Sequence, residues 1–139
     1  MRDERGARKV GPMSYADFQR RYELESEKER AEYDREPIEA LLGRVRARRL
    51  GGQYQLWYAI AARASLAQAG WLLFDFVSGA HEYLDRYHAA AALLTLLGRA
   101  DLEAADLTVA HRSPDEHLAD VRAELERRAG AHPRERGGL

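Results

Sequence analysis

From Ser14 to Gly130 apolar residues recur at helical spacing, and glycine or proline stands where most of those periods fail. This punctuation constrains the fold most, because a 3.6-residue period does not fit a strand, whose faces alternate every second residue. β-Branched residues are scarce, with only two isoleucines in 139 residues. An all-α fold follows: a compact single-domain bundle of about five to six helices over residues 14–130, with disordered tails at 1–13 and 131–139. A chain of this length buries roughly two-thirds of its unfolded surface, enough for a core without staples.

The periods place the helices. Ser14 and Asp17 form a capping pair that opens a helix running to about Asp34. Its large apolar residues are Tyr15, Phe18, Tyr22 and Tyr33, with Ser26 and Glu29 between them on the same face. Pro37 permits a fresh start, Ile38, Leu41, Leu42 and Val45 recur behind it, and Gly51-Gly52 is the expected stop. Residues 53–78 are apolar nearly all round, which marks a central segment packed on several sides. Gly70 is the expected break or kink there, and whether the segment is one helix or two stays open. His81 to Leu97 reads as another helix, with Tyr83, Leu84, Tyr87, Ala90, Ala91 and Leu94 as its buried stripe and Gly98 as its end. Leu107–Val109 reads as extended. Ser113-Pro114-Asp115-Glu116 supplies an N-cap, a first-position proline and an acid for a last helix to Ala129, with Leu118, Val121 and Leu125 inward.

Composition narrows the functional classes. There is no cysteine, hence no disulfide framework, thiolate metal site or cysteine nucleophile. The first residues lack the apolar core of a secretory signal. The most apolar stretch, Leu56 to Val77, is interrupted by Arg63, Gln68 and Asp75, so no membrane span is expected. Twenty arginines against two lysines, abundant alanine and no asparagine match the codon bias of a GC-rich bacterial genome, and a cytoplasmic location is expected. The net charge of −1 provides no overall field for nucleic acid or an anionic surface.

Four constellations carry the candidate chemistry. His81, Asp85 and His88 share one helical side at i, i+4 and i+7, a spacing that can hold a divalent metal. They lie opposite Tyr83 and Tyr87, on a face that reads as solvated, so the metal assignment is none. Arg63 and Asp75 are the only charges between Gln53 and Gly79. They are expected to form a buried pair if Gly70 turns the chain back. The run Arg44–Arg49 is a phosphate-binding pattern, but cations also belong at a helix C-terminus, and nucleic acid is not the favoured partner. Eight of the twelve aromatic residues lie between Tyr54 and Tyr87, a spacing more typical of core than of a ligand pocket.

No nucleophile, base and orienting group stand together, so nothing points to an enzyme, and no cofactor is expected. The expected function is a non-enzymatic protein-interaction module that self-associates as a homodimer. Tyr15, Phe18 and Tyr22 would anchor that interface, with the acidic flank Glu23–Glu36 meeting Arg44 and Arg48 of a neighbouring chain. The alternatives are a small-ligand or metal-binding bundle and a nucleic-acid-binding regulator using Arg44–Arg49.

Overall fold

The computed structural model describes residues 14–137, and the expected tail at 1–13 lies outside them. The order is α1 (Tyr15–Asp34), α2 (Ile38–Ala47), α3 (Gln55–Arg63), α4 (Leu66–Ser78), α5 (Tyr83–Leu97), α6 (Ala104–Thr108), a 3-10 turn (Ala110–Arg112), α7 (Pro114–Ala129) and α8 (Pro133–Gly137). No strand occurs among the described residues, and the fold is all-α.

The helices α4 and α5 make the most extensive contact and form the centre. Against α5 pack α3 and α6, against α4 packs α7, and α1 lies on α3. The core joins Trp57 and Ile60 of α3, Leu73 and Val77 of α4, Ala89 and Leu93 of α5, Leu107 of α6 and Leu125 of α7, all fully buried. Alanine at the contact positions of α5 lets its neighbours approach closely.

Local chemistry explains the boundaries. The Ser14 hydroxyl accepts the Asp17 backbone N–H at 3.1 Å, and α1 stops before Pro37. Residues 53–78 form two helices, and the division falls at Ala64–Ser65 instead of at Gly70. There Ser65 and Gln68 cap each other: the Gln68 N–H donates to Ser65 Oγ at 3.1 Å, and the Ser65 N–H to Gln68 Oε1 at 2.8 Å. Gly70 is instead a buried interior residue of α4, where an added Cβ would stand 2.8 Å from Leu125 Cδ2. It admits α7 to the core.

Other expectations are corrected in the same way. The second helix ends at Ala47, before Gly51-Gly52, because Arg48 takes a left-handed conformation and the Arg49 N–H returns to the Arg44 carbonyl at 2.9 Å. Leu107-Thr108 is helical, not extended, and belongs to α6, whose start is tied by the Glu103 N–H to Asp106 Oδ2 at 2.8 Å. Ser113 precedes α7 with positive φ and makes no side-chain cap, so Pro114 and the first-turn acids Asp115 and Glu116 carry that signal. Residues 131–137, expected as part of a tail, are structured: α8 forms there, and His132 packs edge-on to Trp71 at 4.8 Å between ring centres. The Trp71 indole N–H donates to the Gly130 carbonyl at 3.0 Å, which fixes the chain where it leaves α7.

Three helix C-termini are closed by arginines from another helix. Arg63 of α3 donates to the carbonyls of Tyr33 (3.0 Å) and Glu36 (2.6 Å) after α1. Arg86 of α5 donates to the Val77 carbonyl of α4 at 2.9 Å, and Arg128 of α7 to the Leu97 carbonyl of α5 at 2.9 Å. Arg86 and Arg128 thereby satisfy carbonyls that helix geometry leaves unpaired, while Arg63 adds a second donor to a Tyr33 carbonyl that already accepts the Glu36 N–H. Each places a positive charge at the negative end of a helix dipole.

Candidate functional site

The hydrogen bonds that fasten the first helix to the body come from its second half. The Glu29 carboxylate accepts the backbone N–H groups of Gly52, Gln53 and Gln55 between 3.1 and 3.2 Å, at the start of α3. That start needs an outside acceptor, because Tyr54 at the N-cap has positive φ and offers no side-chain cap. Tyr33, one turn further along the same face, is buried beneath Arg44. Gly51 makes the approach feasible: it has a φ of +76°, and a side chain there would collide with the Tyr33 hydroxyl and Glu29.

The first half of that face has no such cover. Tyr15 is 78 % exposed, Phe18 58 % and Tyr22 45 %. Among the described residues the exposed large apolar side chains are these three, Leu24, and Tyr83 and Leu84 in the first turn of α5. Five of the six therefore fall in two helix beginnings, and Leu24 lies further along α1. Tyr22 also lies within electrostatic reach of Tyr54 and Tyr58; burial mainly raises the pKa of both phenols.

Where solvent was expected, α5 meets α3. Asp85 accepts the Trp57 indole N–H at 3.1 Å. His88 Nδ1 faces the Tyr58 hydroxyl at 2.5 Å, and its ring stacks on Tyr54 with centres 4.6 Å apart. Burial lowers the pKa of His88, with Asp85 and Glu82 opposing, and burial raises that of Tyr58. Both shifts favour the neutral pair, in which the phenol donates to imidazole. His81 lies flat on Phe76, 3.8 Å between centres and 4° from parallel. The three proposed metal-ligand positions thus serve three different neighbours. Among the described residues no group of three or more His, Asp or Glu side chains is placed to hold a metal. Tyr83 and Leu84, read as part of the buried stripe, are exposed, and α5 buries Ala89, Ala92, Leu93 and Leu97 in their place. Ala90 and Leu94 of the expected stripe are buried, and the buried surface of α5 extends beyond that stripe where Trp57 and Tyr58 of α3 meet its histidine side.

Arg63 and Asp75 do not form the expected buried pair. The Ser65 break turns Arg63 toward the end of α1, while both Asp75 carboxylate oxygens lie 2.9 Å from His132 Nε2. Both residues are exposed. The basic run is likewise divided. Arg44 clamps Glu36 of its own chain with two hydrogen bonds of 2.9 and 2.6 Å, which lower the Glu36 pKa. The anticipated meeting of acidic flank and Arg44 is therefore made within one chain. Arg48 points to the other side of α2, near His81.

A hub unnoticed in the sequence is Arg99, just after α5. It binds Asp101, Asp120 and Glu124 at 2.8, 3.0 and 2.8 Å, and Arg128 shares Glu124 at 2.7 Å. These bonds raise the Arg99 pKa. Among the described residues no helix is long and apolar enough to cross a membrane. Comparison of the chain with protein-family models, curated protein sequences and solved structures yields no match.

Proposed function

We propose that this protein is a non-enzymatic interaction module of the cytoplasm that self-associates as a homodimer through the first half of α1. The observation that supports this is the continuity of one helical face. Tyr33 and Glu29 hold its second half to the body, while Tyr15, Phe18 and Tyr22 carry the face onward into solvent. A monomeric domain rarely leaves several large apolar side chains side by side without a partner, and tyrosine and phenylalanine are enriched in interface centres.

A second copy fits this stripe. An isologous contact requires a self-complementary surface, and a short stripe with aromatic residues at both ends and Phe18 near its middle meets its own image when two copies run antiparallel. The stripe carries no charge of its own, so pairing brings no like charges face to face. Burying these rings against one another offsets the marginal stability of a short projecting helix.

The test is sedimentation velocity over a wide concentration range on the whole chain and on the combined Tyr15→Ser, Phe18→Ser and Tyr22→Ser variant. A wild-type dimer that becomes monomeric in the variant, with the melting temperature of the variant monomer near that of the dilute wild type, is the expected result. A wild type that stays monomeric at every concentration overturns the proposal. Point substitution is preferable to deleting α1, because deletion also removes Glu29 and Tyr33 from the body.

A further inference from the structure

Away from the α1 face, an open cleft of about 420 Å³ lies between α2, α4 and α8. Its wall includes Arg46, Arg48 and Arg134 from two separate parts of the chain, with His81 near Arg48 and Phe76 on the floor. Among the described residues none of these three guanidiniums has a carboxylate within ion-pairing distance. The one acid on the wall, Asp75, is directed to His132. Like charges gathered in a concavity strengthen one another's field and attract an anion.

We infer that this cleft binds a small phosphorylated organic molecule. Arginine forks match the oxygen geometry of a phosphate, and three of them can share a dianion through charge-assisted bonds. His81 adds a neutral donor: its pKa is lowered by burial and then by Arg48 and Arg86, with Asp85 opposing, and its ring is held against Phe76. Gly79 makes room for that ring, since a Cβ there would lie 3.0 Å from His81 Nε2. The apolar floor suits the organic portion of the ligand, and the cleft volume falls in the range of small-molecule sites. A polynucleotide is less well served, because a net charge of −1 supplies no extended positive field for a long polyanion.

Calorimetry and thermal melting of the full chain, with inorganic phosphate, phenyl phosphate and phenol as probes, test the assignment. The expected result is a rise in melting temperature with phosphate, a larger one with phenyl phosphate and none with phenol. Arg48→Gln and Arg134→Gln should each weaken phenyl phosphate by about tenfold, the loss of one strong charge-assisted contact. Arg127→Gln, an exposed arginine elsewhere, should leave binding unchanged. In wild-type spectra the His81 ring and Arg48 amide signals should move on titration, a readout that needs no variant. Absence of binding by phenyl phosphate, undiminished binding in the Arg46/Arg48/Arg134 triple glutamine variant, or binding of an oligonucleotide alone would overturn the inference. The α1 serine variant should retain the site, which separates this outcome from that of the dimer.

Discussion

Glu29 of α1 caps a helix that begins twenty-six residues later, accepting the Gln55 backbone N–H at 3.2 Å. One carboxylate thereby orders the Gly51–Tyr54 turn, starts α3 and fastens α1. Replacing Glu29 with alanine leaves several N–H groups without their acceptor and should cost about 2 kcal/mol in urea denaturation. Glu27→Ala, on the exposed side of the same helix, should change stability little. Equal effects of the two substitutions would show that the cap contributes nothing.

Acid should loosen the junction of α5 and α7. Arg99 holds Asp101 at a pKa of about 2, below its ordinary 3.8. Burial alone would raise the Glu124 pKa, but hydrogen bonds from Arg99 and Arg128 bring it below its ordinary 4.5. Both folded-state values lie below the unfolded ones, so this stabilisation is complete above the unfolded values and is lost as pH falls through the folded ones. Urea midpoints should therefore drop between pH 5 and about pH 2, and the drop should be smaller in Arg99→Met. An unchanged pH slope in that variant would remove Arg99 from the explanation.

Two helix glycines should answer oppositely to alanine. At Gly43 in α2 an added Cβ meets nothing within 4 Å, so Gly43→Ala should stabilise by about 0.5–1 kcal/mol through helix propensity. At Gly70 the same methyl meets Leu125 at 2.8 Å and Leu66 at 3.1 Å. Overpacking of about 1–3 kcal/mol then exceeds the propensity gain, and Gly70→Ala should melt lower than wild type. Differential scanning calorimetry of the two variants decides the sign of each.

Arg63 and Asp75 should behave as independent sites. Arg63→Ala removes two hydrogen bonds at the end of α1 and leaves the Glu36 carbonyl without this donor, which should destabilise by about 1–2 kcal/mol. Asp75→Ala removes an exposed contact to His132 and should cost under about 1 kcal/mol. In the double variant the two effects should add, whereas a coupling energy beyond about 0.5 kcal/mol would mean that the residues interact after all.

What was legible in the sequence was local. Helical periodicity, the scarcity of β-branched residues and the punctuating Pro37, Gly98 and Pro114 established an all-α chain and most helix positions, because periods and backbone preferences act over one or two turns. The Ser65-Leu66-Ala67-Gln68 segment also carried a readable sign, a capping box four residues long, which Gly70 overshadowed although glycine is tolerated inside a helix when a neighbour needs the space. The aromatic stripe Tyr15, Phe18 and Tyr22 was visible as well, since it depends only on spacing. Tertiary structure decided everything that joins distant segments: Glu29 to Gln55, Arg63 to the end of α1, Tyr58 to His88, Asp75 to His132, and the meeting of Arg46, Arg48 and Arg134. A side chain's spacing along its own helix determines which direction it faces, but the packing of another helix decides whether that direction is solvent. That is why the histidine side of α5 reads as a polar face in sequence and becomes an interface with α3, while Tyr83 and Leu84, apolar by type, remain outside.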